Sequence, residues 1–421
     1  MTTIALVCDY SLDYLGGAQV AFLEEARALA AAGHEVVVIG PGGGEERLAG
    51  IRHERVTPSA TIPGLDLPLI RNTERLRRHL SGVFERLEVD VVHLHSEFGL
   101  AAACADVADL LGVAVAHTVH TFFWQAGVPR SLSPLAAFAI RRYGKWVTGR
   151  SLPRVDLRCA PADEALRILT LASARRAGVV ISPSEHQAVL LRSAGVTQVE
   201  VIPNTTTAAE SARAAPLARI DGPLRISWIG RCAPEKRLLE FIDAVVAALA
   251  VLPAGALEVE VVGDGPTAAA ARRRSAGVDE IRFRGRVPHA EVRNRIDQSH
   301  LVALTSYGFD NQPMTVVEAL HSARGVLYVD PALREGLECA GILCSSESVA
   351  GMAATLVELA RDARPVLAAS NRAAAAFDRF GPDRHVAALL LAYAGAMPGA
   401  SDPATVPAVE PTGSMPDARG R

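Results

Sequence analysis

The sequence predicts an α/β protein made of two doubly wound, Rossmann-like domains that follow each other along the chain. At 421 residues the chain is too long for one ordinary hydrophobic core. Short apolar runs alternate with Ala- and Leu-rich helical stretches in both halves, as they do in the βαβ units of a parallel sheet. The alternation stops in a polar, Ala-rich stretch near the middle and then starts again. Two such units would face each other across a cleft, with the carboxyl ends of both sheets lining it.

Composition excludes several classes of function. The net charge is −3 and the pI is near 6.5, so we expect no nucleic-acid binding through bulk charge. Six cysteines are scattered without a C-x-x-C pair, which indicates neither a zinc site nor a disulfide framework. The chain enters a strand pattern directly, and no apolar run approaches the roughly 18 residues that would span a bilayer. We therefore expect a cytoplasmic protein.

Residues 1–205 are predicted to form the N-terminal domain. Its first strand leads into Gly16-Gly17 and a helix over Ala18–Ala32, which Gly33 would end as the C′ residue. The glycine pair fits either a tight turn with positive φ or a close approach of the backbone to a ligand. It is not a G-x-G-x-x-G fingerprint, so a nicotinamide cofactor is not indicated. The predicted strands of this domain are Ile4–Cys8, Val36–Ile39, Val89–Leu94, Val113–His117, Val179–Ser182 and Val199–Ile202.

The second half repeats this pattern. A linker is predicted over 206–222 and a second Rossmann-like domain over 223–382. A helix over 383–397 follows, which we expect to cross back to the N-terminal domain. The tail 398–421 is rich in Pro, Gly, Ser and Asp, a composition typical of disorder. The predicted strands of the second domain are Leu224–Ile229, Leu257–Val262, Ile281–Phe283, Leu301–Thr305, Gly325–Val329 and Gly341–Cys344.

The stretch Thr305–Glu318 predicts an anion site. An apolar strand ends in a Gly-containing loop, and Pro313 stands where the first residue of the next helix would be. The backbone N–H groups at the start of that helix favour an anion. Asp310 in the loop and Glu318 in the helix add two carboxylates around it. Such a pocket suits a ligand with phosphate and many hydroxyls, such as a nucleotide sugar.

The stretch Gly230–Lys236 predicts a second part of the same site. It follows the first strand of the second half and comes just before a helix. Arg231 can fork two phosphate oxygens and Lys236 can act as a point charge, a combination that suits a diphosphate. Of 43 basic residues only Lys145 and Lys236 are lysine, so a compact ammonium is favoured where lysine stands. The competing interpretation is a solvated surface turn.

Two further turns follow strands of the second half. Gly263 belongs to Gly-Asp-Gly-Pro, which by itself is common turn chemistry. Arg286 belongs to Arg282–Pro288, which could offer backbone groups to a base or could be a basic surface turn.

Histidines stand at two predicted strand ends of the first half. His93 and His95 follow one strand, and His117 and His120 follow another. Their spacing would allow a metal, but apart from Glu97 they have no accompanying carboxylate or cysteine cluster, so we expect none. His93 and His117 fit satisfied core histidines. His120, furthest out on its loop, is the histidine that we expect in the cleft.

The span 130–176 is strongly basic. It holds ten basic residues against three acidic ones, with aromatic residues such as Phe138, Tyr143 and Trp146 interleaved. Such an amphipathic element suggests docking on an anionic membrane. The alternative, weighed equally, is a pair of surface helices of which one face packs on the sheet.

Jointly these motifs resemble the retaining glycosyltransferases of family 4, which have the GT-B fold. The likeness covers essentially residues 3–397. The residues that carry it are Gly16-Gly17, Gly33-His34-Glu-Val-Val-Val, Ile181-Ser-Pro-Ser184-Glu, Val201-Ile-Pro203-Asn204, Gly230-Arg231, Glu235-Lys236, Gly263-Asp-Gly-Pro266 and Glu318-Ala-Leu.

The resemblance implies roles for individual residues. Glu318 would contact the ribose, and Arg231 and Lys236 would hold the diphosphate. His120 would lie near the 6-hydroxyl of the donor sugar. The family has two glutamates eight positions apart, whereas this chain has Asp310 at the earlier one. The other residues that the resemblance places at the donor are Gly17, Gly263, Arg286, Phe309, Asn311, Gln312, Pro313 and Met314.

The resemblance also implies the reaction. We expect a hexosyltransferase that moves a sugar from UDP- or GDP-sugar with retention of configuration and without a metal or other cofactor. The first domain is similar to bacterial members that act on lipid acceptors, so a membrane lipid and a peripheral position at the inner face of the membrane are expected. A soluble small-molecule or oligosaccharide acceptor, a non-catalytic nucleotide-sugar-binding module and a sugar-nucleotide epimerase remain alternatives.

Overall fold

The computed structural model describes residues 1–13, 16–62, 67–123, 125–207 and 214–396. The N-terminal half contains β1 (Thr3–Val7), α1 (Gly17–Ala31), β2 (Glu35–Gly40), β3 (Arg52–Arg55), β4 (Ala60–Ile62), β5 (Leu67–Leu69), α2 (Glu74–Leu87), β6 (Val91–Leu94), α3 (Gly99–Leu111), β7 (Ala114–Thr118), α4 (Ser133–Thr148), α5 (Pro161–Ala174), β8 (Val179–Ser182), α6 (Glu185–Ser193) and β9 (Val199–Val201). The C-terminal half contains β10 (Leu224–Ile229), α7 (Leu238–Leu249), β11 (Leu257–Val262), α8 (Ala268–Arg274), β12 (Ile281–Gly285), α9 (His289–Gln298), β13 (Leu301–Leu304), α10 (Met314–His321), β14 (Gly325–Tyr328), α11 (Leu337–Ala340), β15 (Gly341–Leu343), α12 (Val349–Arg361), α13 (Arg364–Ala376) and α14 (Pro382–Ala396).

The N-terminal domain is built on a parallel sheet with the strand order β3-β2-β1-β6-β7-β8-β9 among the described residues. Its central strands are apolar runs buried on both faces, as expected of a parallel sheet that is covered by helices. The order reverses between β1 and β6. The carboxyl ends of strands at such a reversal form a crevice where ligands bind.

The C-terminal domain has a second parallel sheet, with the order β12-β11-β10-β13-β14-β15 in the described part of the chain. Its order reverses between β10 and β13. The stretch Gly230–Lys236 follows β10, and the stretch Thr305–Glu318 follows β13. The two predicted parts of the anion site therefore lie side by side at this reversal, and the predicted class of two Rossmann-like domains is confirmed.

Three strands of the N-terminal domain were not predicted. β3 reads Arg-His-Glu-Arg and lies at the edge of the large sheet, where charged side chains discourage pairing with other chains. β4 and β5 form a separate antiparallel pair of three residues each. Neither a charged edge strand nor a three-residue strand produces the apolar run on which the prediction relied.

α14 packs on the N-terminal domain although it follows the C-terminal one. Val386, Leu389 and Tyr393 belong to the same buried cluster as β1 and α1 residues. The helix therefore passes back across the two domains. The predicted end of this helix at 397 and the predicted disordered tail 398–421 lie outside the described residues, as does 208–213 of the predicted linker.

None of the described helices combines the length and the apolarity needed to cross a bilayer.

Candidate functional site

A cavity of about 900 Å³ is lined by residues of both domains. All thirteen residues that the sequence analysis assigned to the donor or catalytic site line it: Gly17, His120, Arg231, Lys236, Gly263, Arg286, Phe309, Asp310, Asn311, Gln312, Pro313, Met314 and Glu318. Its size falls within the range of ordinary ligand pockets.

The start of α1 forms the N-terminal side of the cavity. Gln19 Oε1 accepts a hydrogen bond from the Gly16 N–H at 3.2 Å, which satisfies one backbone donor at the helix start. A Cβ atom added at Gly17 would meet no described atom within 4 Å. The space in front of Gly17 is therefore open to a ligand, as the second interpretation of the glycine pair requires.

The two predicted cations of the diphosphate site are each paired with a carboxylate. Arg231, with its side chain 54% exposed, pairs with Glu235. Lys236 lies in a short 3-10 turn after β10 and pairs with Asp310 through one carboxylate oxygen, while the other oxygen accepts from the Ser306 hydroxyl. Asp310 is therefore directed at Lys236 and Ser306 in this structure.

Gly263 brings the end of β11 close to the end of β10. Its φ is +136°, and a Cβ there would lie 1.8 Å from the carbonyl oxygen of Gly230. Any other residue would push Gly230 and the adjacent Arg231 away. The sequence analysis described Gly263 as common turn chemistry and did not predict this close packing. The contact joins two segments that are far apart in the chain, so it could not be seen in either segment alone.

Glu318 is held by a histidine that the sequence analysis did not single out. α10 begins at Met314 after Pro313, which is its N-cap residue and not its first helical residue. His289 Nε2 lies 2.9 Å from Glu318 Oε1. This hydrogen bond raises the pKa of His289 above its ordinary value of 6.5, against the effect of burial. His289 therefore orients the carboxylate that the resemblance places at the ribose.

The side chains of Asn311 and Gln312 bind the N-terminal domain. Asn311 Nδ2 donates to the Val119 carbonyl at 3.3 Å, and its Oδ1 accepts from the Ser184 hydroxyl. Gln312 Oε1 accepts from the Asn204 N–H at 2.5 Å. Both side chains are more than nine-tenths buried. These side-chain contacts join the two domains at the edge of the cavity, and the predicted contact of Asn311 and Gln312 with the donor stays a prediction.

His120 lines the cavity and forms one end of a buried hydrogen-bonded network. Its Nε2 lies 3.0 Å from His95 Nδ1, and His95 Nε2 lies 3.1 Å from Glu25 Oε1. His93 Nδ1 lies 2.8 Å from the same oxygen, and His385 Nε2 lies 3.2 Å from Glu25 Oε2. The sequence analysis did not associate Glu25 with these histidines, because it comes from α1 and lies about 70 positions earlier in the chain.

Burial governs the charges of this network. It lowers the pKa of His95 to about 4 and that of His120 well below its ordinary value. Burial alone would raise the pKa of Glu25, but His93 and His95 lower it well below its usual range. At neutral pH the network therefore joins an ionised Glu25 to a neutral His95 and a neutral His120.

The basic span of the sequence folds into α4 and α5, which pack on each other. Arg141 lies against Glu164 of α5, with 3.1 Å between Nη2 and Oε1. The opposite side of α4 is an exposed stripe made of Leu135, Phe138, Arg142, Lys145 and Trp146. Leu135 is 68% exposed and Phe138 is 63% exposed.

Two protein-family models match the chain, one to each domain. Residues 15–208 match the model described as Glycosyltransferase Family 4, and residues 223–362 match the model described as Glycosyl transferases group 1. A search of curated protein sequences found no match.

Solved glycosyltransferase structures have the same two-domain fold. Anabaena HepE in complex with UDP superposes with a TM-score of 0.63 at 16% identity, over 93% of this chain and 99% of HepE. A variant of TarM from S. aureus, in a complex that includes UDP, gives 0.65 at 11% identity, over 93% and 100% of the two chains. The pneumococcal O-GlcNAc transferase GtfA, in complex with UDP and GlcNAc, gives 0.63 at 12% identity, over 93% and 98%.

Proposed function

We propose that this chain, a glycosyltransferase of the GT-B fold, moves a hexose from a nucleoside-diphosphate sugar to an acceptor with retention of the anomeric configuration. One observation carries the proposal. Arg231, Lys236 and Glu318 of one domain and Gly17 and His120 of the other line the same cavity. Cations, an open helix start, a carboxylate and a neutral imidazole together match the phosphate and hydroxyl groups of such a donor.

The departing diphosphate is the group that this cavity would stabilise. As the anomeric C–O bond breaks, positive charge develops on the sugar and negative charge on the diphosphate. Arg231, Lys236 and the N-terminus of α10 would meet that negative charge, and removal of one such donor typically costs ~3 kcal/mol in the transition state. The ammonium of Lys236 would bridge Asp310 and a phosphate oxygen when the donor is bound.

Uridine is the base that we propose first. HepE, TarM and GtfA, which have the same fold as this chain, were each solved with UDP. In this chain Glu318, oriented by His289, would accept hydrogen bonds from the ribose hydroxyls. Gly263 and Arg286, which follow the neighbouring strands β11 and β12, also line the cavity and would contact the base. GDP is the alternative tested beside it.

Attack of the acceptor on the same face as the departing diphosphate is the proposed route to retention. The alternative route needs a carboxylate that is free to attack the anomeric carbon. Asp310, the carboxylate of the loop before α10, is already bound by Lys236 and Ser306. This arrangement favours direct transfer over a covalent glycosyl intermediate.

A membrane lipid is the proposed acceptor. The exposed stripe on α4 combines one aliphatic residue, two aromatic residues and two cations on one helix face, which suits the boundary between anionic head groups and acyl chains. A soluble acceptor is the alternative, and it would make the stripe irrelevant to turnover.

The test is a binding and turnover panel with UDP, GDP and their sugars. We expect wild type to bind UDP, to hydrolyse or transfer from one UDP-sugar, and to give a product of unchanged anomeric configuration by NMR. Lys236→Ala and Glu318→Ala should each weaken UDP binding tenfold or more, which corresponds to ~1.4 kcal/mol. Arg273→Ala and Glu358→Ala, exposed charges of the same domain, serve as matched controls.

Three outcomes would overturn parts of the proposal. UDP binding without turnover over a broad acceptor panel would indicate a nucleotide-sugar-binding module. Donor isomerisation without an acceptor would indicate an epimerase. A product of inverted configuration would exclude same-face attack.

A further inference from the structure

We infer that Glu25, acting through His95, fixes the tautomer of His120, so that the imidazole presents a hydrogen-bond acceptor, Nδ1, to the donor sugar. Glu25 is thus a positioning residue, and His120 is the group that touches the substrate. The identity of the sugar as ligand rests on the proposed function. The assignment of the proton positions rests on the hydrogen-bond geometry and the burial of the network, and it does not depend on which ligand binds.

The argument starts at the carboxylate. Glu25 is buried on α1, and its Oε1 lies 2.8 Å from His93 Nδ1 and 3.1 Å from His95 Nε2. An ionised carboxylate can only accept hydrogen bonds. Each imidazole nitrogen that faces it must therefore carry a proton, so His95 carries its proton on Nε2.

The next step is the neutral His95 ring. Its low pKa means that it carries a single proton at neutral pH, and Glu25 has placed that proton on Nε2. His95 Nδ1 is then an acceptor, and it lies 3.0 Å from His120 Nε2. Two lone pairs at that distance would repel, so Nε2 of His120 is the donor.

The last step reaches the cavity. His120 is also neutral, so a proton on Nε2 leaves Nδ1 as its acceptor. A neutral acceptor attracts a hydroxyl group and repels a phosphate oxygen. The tautomer therefore favours the sugar, and disfavours the diphosphate, at the His120 end of the cavity, while Lys236 and Arg231 attract the diphosphate elsewhere in it.

A buried cation balances Glu25. His385 of α14 has Nδ1 2.8 Å from the Pro203 carbonyl oxygen, which can only accept, so Nδ1 carries a proton. Its Nε2 lies 3.2 Å from Glu25 Oε2 and must carry a proton as well. His385 is therefore an imidazolium. The pair lets Glu25 stay ionised although it is buried, because a buried charge needs a hydrogen-bonded partner.

A metal is the competing occupant of this cluster. Glu25, His93 and His95 each offer one ligand atom, and the three atoms lie within 4.8 Å of one another. The direct separations of 2.8 and 3.1 Å match N–H···O hydrogen bonds. A zinc ion would lie about 2.0–2.2 Å from each of these ligand atoms, and it would hold the ligand atoms further apart than hydrogen bonds do. We therefore assign protons to the cluster, and metal analysis is part of the test.

The test reads the tautomer directly. Protein with ¹⁵N-labelled histidine is studied by two-bond ¹H–¹⁵N NMR, with the His120 signals assigned from a His120→Gln variant. We expect wild type to show His120 as the neutral form with its proton on Nε2. Glu25→Gln replaces an obligate acceptor by an amide that can also donate, so a substantial share of His120 should move its proton to Nδ1. Tyr393→Phe removes a hydroxyl 2.8 Å from His93 Nδ1 in the same cluster and should leave the His120 tautomer unchanged.

A second variant and a binding measurement keep the test decisive. If Glu25→Gln does not fold, His95→Phe removes the relay but keeps a ring in place, and His120 should then lose its fixed tautomer. In either variant UDP affinity should change less than twofold, while affinity for the UDP-sugar should fall about tenfold.

An unchanged His120 tautomer in both variants would overturn the inference. One equivalent of bound metal in wild type that is lost in Glu25→Gln would overturn it too. Failure to bind any nucleotide would instead count against the proposed function and leave the NMR result intact.

Discussion

Gly263 is a single residue on which the position of Arg231 depends. It has a φ of +136°, and a Cβ there would lie 1.8 Å from the Gly230 carbonyl oxygen. We predict that Gly263→Ala lowers the free energy of unfolding of the C-terminal domain by at least ~2 kcal/mol, from backbone strain and the clash together. UDP affinity should fall as well, because Gly230 and Arg231 must move.

Gly277→Ala is the matched control for this change. Gly277 also has a positive φ, +81°, but an added Cβ would meet no described atom within 4 Å. Only the conformational strain of about 1 kcal/mol should remain, with UDP affinity unaffected. Chemical denaturation and calorimetric titration measure both quantities. Equal effects of the two substitutions would show that close packing against Gly230 has no role.

His289 gives the site a pH-dependent contribution to stability. Its hydrogen bond to Glu318 raises its pKa above 6.5, so the imidazolium stabilises the fold fully below pH 6.5 and this contribution is lost as the pH rises through the raised pKa. The side chain is 38% exposed, so the contribution should be at or below ~1 kcal/mol. We predict that His289→Gln lowers the melting temperature by about 2 °C at pH 6 and has no effect at pH 9.

The measurement is the melting temperature of both proteins at several pH values. Gln keeps a neutral donor for Glu318, so the substitution removes the charge and leaves the hydrogen bond possible. His300→Gln is the comparison, because burial and the cations Arg225 and Arg324 lower the pKa of His300 to about 4, so it carries no charge in this range. A difference that grows with pH would have the wrong sign for the assigned pair.

The most specific prediction for a single helix concerns the exposed stripe of α4. This stripe holds Arg142 and Lys145 beside Phe138 and Trp146, whereas Arg141 points to Glu164. We predict that Arg142→Gln/Lys145→Gln weakens binding to anionic vesicles about thirtyfold in a co-sedimentation assay at physiological salt, since each cation near such a surface is worth ~1 kcal/mol. Neutral vesicles should show no difference.

The control removes two charges from elsewhere on the surface. Arg273→Gln/Arg361→Gln changes two exposed arginines of the C-terminal domain and should leave vesicle binding as in wild type. If both double variants lose binding equally, net charge explains the result. If neither loses it, the stripe is an ordinary helix surface and the soluble acceptor is favoured.

The elements differ in how far the sequence could predict them. β13 is an apolar run buried on both faces, and β10 is mainly apolar and mostly buried. The positions of both strands could therefore be predicted, and with them the segments that carry Arg231 and Glu318. β3 was missed because an edge strand needs no apolar run. Glu25 and His289 were missed for a different reason: α1 and α9 carry them in ordinary helical patterns, and only tertiary contact gives each a partner. Asn311 and Gln312 were visible as loop residues, but their binding to the other domain depends on how the two domains meet.

At the scale of the whole molecule, three sets of contacts near the cavity join the two domains and their connecting segment. The loop before α10 reaches Ser184 and Asn204 of the N-terminal domain. Glu24 of α1 accepts from the Thr207 hydroxyl at the start of the connecting segment. α14 returns from the C-terminal domain and places His385 on Glu25. Residues that set the distance between the domains are thus the neighbours of residues that would bind the donor, so closure and binding should be coupled.

The coupling can be tested at Asn204. Its N–H donates to Gln312 Oε1, and its side chain donates to the Gln312 carbonyl at 3.0 Å, within a buried contact. Asn204→Ala removes the second bond and leaves that carbonyl without it, a cost of about 1–3 kcal/mol that opening of the cleft would relieve. We predict that both domains of this variant stay folded. Its radius of gyration from X-ray scattering should be larger than that of wild type without UDP and should return to the wild-type value at saturating UDP. UDP should bind about tenfold more weakly, because closure must now be driven by the ligand.

Asn371→Ala, which truncates an exposed asparagine on α13, is the control and should change neither the radius of gyration nor the UDP affinity. If Asn204→Ala weakens UDP binding but leaves the radius of gyration unchanged, Asn204 acts within the binding site itself. If both the UDP affinity and the radius of gyration stay at their wild-type values, the Asn204–Gln312 contact does not govern closure.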